Sequence, residues 1–325
     1  MKRLLAFFLI FTLLAGCLLA CGSKPNAAKS DTLRIVTTIF PVYDWVMNLL
    51  GDNPANAEVV MLLDIGVDLQ SFQPSAEDIL KISTCDLFIY VGGESDQWVD
   101  DALKEATNPD MVVINLLDAL GDQAKEEALV EGMQPEDDEP DEDEEGPEYD
   151  EHVWLSLKNA AVLVRQIGSA LEQIDAEHAT VYRENADAYL AEIDSLDRQY
   201  EAAVSDANVR VLLFGDRFPF RYLTDDYGLS YYAAFSGCSA ETEASFETVL
   251  FLANKVDELS LSAVLVIDGS DQRLTKTVIE TTRTKDQRIF VLNSMQSVTA
   301  RDVQNGASYL AVMEDNLSVL KDALQ

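Results

Sequence analysis

Residues 33–63 read LRIVTTIFPVYDWVMNLLGDNPANAEVVMLL. Within them, 33–39 are rich in β-branched side chains and predict a buried strand, 41–50 a helix that Gly51 stops, and 59–63 a second strand. The alternation continues. A helix over 75–82 opens at Ser75 with Asp78 three residues on, a strand over 86–91 runs into Gly92-Gly93, a helix covers 96–106 and a strand 111–115. Strands alternating with helices imply a parallel sheet covered on both faces.

Downstream, 155–206 carry helical periodicity, lightly interrupted near Gly168 and at 175–177. The apolar stripe Val181, Tyr182, Tyr189, Leu190, Ile193, Leu196 and Tyr200 predicts one helix of about seven turns. A second alternating set follows, with strands over 209–214, 229–235, 263–267 and 289–292. Helices are predicted near 220–227, over 245–259 and 275–284, and after Ala300. The fold class is therefore α/β: two Rossmann-like lobes with parallel sheets, joined by one long helix, with a ligand cleft between them. The domains are an amino-terminal lobe over 32–154, a helical segment over 155–206 and a carboxyl-terminal lobe over 207–325.

The amino terminus sets the compartment. Lys2 and Arg3 precede an apolar run over 4–14, a length suited to a signal-peptide core. Cys17 and Cys21 each follow small residues as in a lipobox. Cys21 is the preferred lipidation site, with Cys17 the alternative, because Gly22-Ser23-Lys24-Pro25 opens a polar tether over 22–31. Residues 1–21 are then a lipoprotein signal peptide, and the chain is expected to be exported and anchored to the outer face of the bacterial cytoplasmic membrane. Cys85 and Cys238 read as core thiols, with a disulfide as the alternative that an exported chain allows.

The 325 residues carry 23 Lys and Arg against 58 Asp and Glu, a formal charge of −35. Such a surface repels phosphate backbones, so nucleic acid is excluded as a partner. Thirteen of the twenty-one residues over 131–151 are acidic, with three prolines interspersed. This stretch predicts a disordered, solvating loop or a collector of cations. There is no GxSxG, HExxH, Walker lysine loop or GxGxxG motif after the first strand, and no enzyme is expected.

In open parallel sheets ligands bind beyond the carboxyl ends of the strands. Four such segments carry polar residues: 64–78, 150–160, 214–229 and 267–274. TTIFPVYDW (37–45), GVDLQSFQPSAED (66–78), CDLFIYVGG (85–93), DEHVWL (150–155), YGL (227–229) and GCSAETEAS (237–245) stand in the order and spacing of a known group. Through them the chain resembles the zinc- or manganese-binding lipoproteins of bacterial ABC importers. That resemblance implies an interlobe cleft, a stiff linker helix and a metal held by about four side chains. It also implies an ABC permease with its ATPase as partners, a lipid anchor in the membrane, a monomer, and Zn2+ (or Mn2+) as the transported ligand.

Carried over position by position, the implied ligands are Gln70, where the family has histidine, then His152, then Asp216 beside an Arg217 that takes the third ligand's place, then Asp268. Arginine cannot coordinate a cation. For His152 the other reading is a satisfied histidine beside Trp154, and for Asp268 a cap or turn residue. Gln70 reads also as an orienting amide, and Asp216 as the ion-pair partner of Arg217. His178, the second of two histidines, reads as a helix-capping or solvated residue. An oxygen-rich set shifts preference toward harder ions. The alternative function is thus the same scaffold with a degenerate site, binding Mn or Ca or an organic solute, or acting in adhesion; Phe72, Trp154, Phe218 and Phe220 are the aromatics available to line an organic pocket.

Overall fold

The computed structural model describes residues 32–134, 148–239 and 243–325. The stretches read above as signal peptide and tether, with Cys17 and Cys21, and the centre of the acidic stretch lie outside the described residues. Among those described, no helix is long and apolar enough to cross a membrane.

The first lobe contains β1 (Arg34–Thr37), α1 (Phe40–Leu50), β2 (Glu58–Met61), α2 (Ala76–Thr84), β3 (Leu87–Tyr90), α3 (Val99–Lys104), β4 (Val112–Asn115) and α4 (Leu116–Leu120). Its four strands are all parallel, in the order β2-β1-β3-β4. Ile35, Leu87, Phe88 and Ile89 are fully buried, as a sheet covered on both faces demands. At α2 the predicted capping box is present: Ser75 accepts from the Asp78 amide, and the Asp78 carboxylate accepts from the Ser75 amide.

Two helices follow, α5 (Leu157–Ile174) and α6 (Ala179–Ser205). At 27 residues α6 is about 40 Å long. Its buried side chains are Tyr182, Ala186, Tyr189, Ile193, Leu196, Tyr200 and Val204; five belong to the predicted stripe, of which Val181 is exposed and Leu190 half-buried, while Ala186 and Val204 join it.

The second lobe contains β5 (Val211–Phe218), α7 (Arg221–Tyr227), β6 (Ser230–Ser236), α8 (Phe246–Leu259), β7 (Ala263–Ile267), α9 (Arg273–Thr281), β8 (Arg288–Leu292), α10 (Ala300–Gln304) and α11 (Tyr309–Ala323). Its strands are again all parallel, in the order β6-β5-β7-β8, the topology of the first lobe repeated. The closing helix expected after Ala300 is two helices, each opened by its own cap, Thr299 and Ser308.

One difference from the sequence reading matters for the site. The fifth strand does not end at Phe214 but runs to Phe218, with a bulge: Phe214 opposes Ala233 and Arg217 opposes Phe235, so β5 carries one residue more than β6 over this interval. At Gly215 any Cβ would come within 2.5 Å of the Thr275 hydroxyl oxygen, and Thr275 Oγ1 donates to the Gly215 carbonyl at 2.8 Å. Glycine there lets α9 seat directly on the strand.

One core runs through both lobes, and a second, smaller one lies within the second lobe alone. Tyr309 of α11 meets Trp45 of α1 edge to face at 5.3 Å, and its amide donates to the Asp44 carboxylate at 3.1 Å. Tyr200 of α6 donates to the carbonyl of Met313 at 2.6 Å. A backbone seam also joins loop to loop: Ile65 bridges Thr299 in antiparallel fashion, and the Ala300 amide donates to the Asp64 carbonyl at 2.7 Å.

Candidate metal centre

His152 is completely buried at the junction of the lobes. It precedes the short 3-10 turn Val153–Leu155, and the indole of Trp154 is fixed by donating to the Ser294 carbonyl at 2.9 Å. Asp150 grips the histidine twice, its Oδ1 accepting from the His152 amide at 2.9 Å and lying 3.0 Å from Nδ1. A carboxylate on Nδ1 selects the tautomer that leaves Nε2 as the lone-pair nitrogen, the arrangement that orients imidazoles toward metals. Across from Nε2, at 3.3 Å, stands the side-chain nitrogen of Gln296, a neutral amide that a cation can displace.

The electrostatics around the ring are negative. Burial alone pulls the His152 pKa down, but the hydrogen bond and charge of Asp150, with the charges of Glu151 and Asp68, more than offset it and the net direction is up. Glu151 is raised to about 7 by burial, although Ser95 of the first lobe donates to it from both amide and hydroxyl. Glu127 is raised by burial as well, even with the Cys238 amide donating to it. The Cys238 thiol is pushed well above its ordinary value by burial and by the Glu127, Asp150 and Glu151 charges. Cys85 and Cys238 are both free, and no disulfide joins them.

The other three predicted ligands are placed as follows. Gln70 lies on the 3-10 turn Leu69–Ser71 beyond β2, and its amide oxygen and nitrogen are both buried without a hydrogen-bond partner. Asp216 lies in the β5 bulge; its Oδ1 accepts from the Arg217 amide at 2.9 Å, and its Oδ2 is buried and unpartnered. Asp268, just after β7, is engaged at both oxygens, Oδ1 by the amide and hydroxyl of Ser294 and Oδ2 by the amide and hydroxyl of Ser297. It thereby holds the loop after β8. Among the described residues no three His, Cys, Asp or Glu side chains converge closely enough to hold a metal ion.

Arg217 does not pair with Asp216, as the sequence suggested. Its guanidinium reaches across the cleft to Asp68 Oδ2 at 2.5 Å, with the other nitrogen donating to the Ser239 carbonyl at 3.3 Å. Asp68, Asp150 and Gln296 are the site residues that sequence reasoning passed over. Asp150 and Asp68 each had a local signal, lying two residues before His152 and Gln70; Gln296 had none.

The aromatics considered for an organic ligand are otherwise employed. Phe218 and Phe220 pack on Phe214 in the core, and Phe72 meets Trp98 edge to face. A small cavity between the lobes is bounded mostly by apolar side chains, Ile39, Phe40, Leu69, Trp154 and Met295 among them, with Gln296. His178 bonds Asp175 at the start of α6, far in sequence from the cleft loops.

A family model described as ZnuA, zinc-uptake complex component A periplasmic, matches residues 35–323. The zinc-binding lipoprotein AdcA of Streptococcus pneumoniae R6 is 31% identical over 315 residues, 96% of this chain and 60% of that protein. The chain therefore spans well under two thirds of that relative's length. The high-affinity zinc uptake system protein ZnuA of Bacillus subtilis 168 is 26% identical over 320 residues, 96% of each chain. Among solved structures, the Zn(II)-bound ZnuA-like domain of Streptococcus pneumoniae AdcA superposes with a TM-score of 0.69 at 29% identity, covering 90% of this chain and 99% of that one.

Proposed function

The chain belongs to the zinc-uptake complex component A family, and from that membership we propose that it is the zinc-binding component of an ABC importer, held outside the cytoplasmic membrane and passing the ion to a permease with its ATPase. The family is one of transport binding proteins, not enzymes. On this reading the molecule acts as a monomer, with no nucleic-acid partner and with a lipid on Cys21 (Cys17 the alternative) as its hold on the membrane.

The observation that carries the proposal is the oriented imidazole: a buried His152 whose Nδ1 is committed to Asp150 and whose Nε2 faces only an amide. Zinc prefers such a nitrogen, completed by carboxylate oxygens. His152 is the anchor in this account, with Asp216, Asp268 and Gln70 as the further donors carried over by position.

Calorimetric titration of the metal-stripped mature chain is the test. Zinc should give a saturable isotherm at one ion per chain, lost in His152→Ala. Absence of heat with zinc sinks the proposal. The donor set apart from His152 is all oxygen, which favours a second reading in which manganese is the cargo. Tighter binding of manganese than of zinc in the same titration selects it.

A further inference from the structure

Three carboxylates, Asp150, Glu151 and Asp68, bear electrostatically on the His152 ring. Asp68 enters from the first lobe as the cap of the Leu69–Ser71 turn, while Arg217 enters from the bulged end of β5 in the second. Their ion pair crosses the cleft with the two side chains only 24% and 19% exposed. It is bounded on one side by the Ser239 carbonyl, which accepts from the same guanidinium. A carboxylate held largely away from water at this junction is costly unless a cation pairs with it. Arg217 supplies one covalently.

We propose that Arg217 is a tethered cation that closes the cleft over Asp68 in place of an ion, so that a divalent metal enters only by displacing the guanidinium from that carboxylate. The inference rests on the zinc-binding reading above for its second half. It names Arg217 as the residue that sets metal affinity and Asp68 as the carboxylate over which the two cations compete. Planar, always charged and bidentate in reach, a guanidinium is suited to this role. The other oxygen of Asp68 accepts only a long bond, 3.3 Å, from the backbone amide of Gln70, which leaves it capacity for a cation.

The cleft carries its own reporter, the Ala300 amide, which donates across the seam to Asp64. Hydrogen exchange at Ala300 in the metal-free mature chain is to be measured for the wild type, Arg217→Met, Arg217→Lys and Asp68→Asn, with zinc titrations alongside. Arg217→Met and Asp68→Asn should each speed Ala300 exchange about tenfold, and Arg217→Lys, which keeps a cation, should restore most of the protection. Arg217→Met should also bind zinc about tenfold more tightly than wild type, whereas Asp68→Asn should not. Should Arg217→Met fail to fold, Asp68→Asn breaks the same pair from the other lobe. Ala300 exchange unmoved in the folded variants overturns the proposal whatever zinc does. If no variant and no wild type takes zinc, yet exchange quickens as expected, the zinc reading fails and the tethered cation stands. If zinc binds wild type and Arg217→Met alike, displacement is overturned and the zinc reading survives.

Discussion

Asp150 does for His152 what neither residue achieves alone. Without the carboxylate the imidazole is free to take the other tautomer or turn, and orienting partners of this kind are worth roughly 10–100-fold in metal affinity. Asp150→Asn should therefore weaken zinc binding by that order in calorimetry while leaving the melting temperature nearly unchanged. Gly237 bounds the other side of the ring: a Cβ there would sit 3.0 Å from the Phe218 carbonyl and 3.1 Å from the His152 ring. Gly237→Ala should destabilise the fold by ~1–3 kcal/mol in chemical denaturation, because the strand's backbone cannot give way. His152 was legible because DEHVWL is a local string. Gln296 was not, since what makes it a site residue is proximity to a ring 144 positions away, and the pairing of Asp68 with Arg217, 149 positions on, is likewise a relation that no spacing encodes.

Elements were legible where one period dominated. The stripe of α6 and the capping box of α2 follow from spacing alone. The bulge of β5 escaped because Gly215-Asp216 after an apolar run looks like a turn; only α9 packed against that glycine shows why the strand continues. The same contact makes a prediction. Thr275→Val keeps the shape of the side chain but removes its hydrogen bond to the Gly215 carbonyl, and should cost about 1 kcal/mol in the denaturation midpoint. Because the bulge aims Asp216 and Arg217, the substitution should also change zinc affinity, which separates it from a neutral core replacement. The loop after β8 escaped for the opposite reason: Asp268 appeared free at a strand end, and its two oxygens are taken by serines 26 and 29 residues further on.

For the molecule as a whole, two alternating sets of strands around a helical middle were enough to foresee a doubled parallel sheet, though not that both sheets share one strand order. The strong negative charge bears on stability through the carboxyls that are buried. Asp44, between α1, α6 and α11, is raised to about 6, chiefly by burial, against the hydrogen bonds from Tyr309, Tyr189 and Asn48. A folded pKa above the unfolded one means that the folded state holds its proton longer. The stabilisation is complete below about pH 4 and is lost as pH rises through about 6. Asp96, also raised to about 6 by burial, acts in the same direction. The melting temperature should thus fall between pH 5 and pH 8, by the equivalent of ~1–3 kcal/mol, and Asp44→Asn should flatten part of that slope.

The anchoring of α11 against Trp45 and Asp44 has a consequence for biogenesis. The first lobe is translated early, but an aromatic ring that completes it comes from residue 309, so a nascent chain stalled before that point holds an unfinished amino-terminal half. Completion of that half is thereby tied to a ring 264 positions downstream of the Trp45 it packs on.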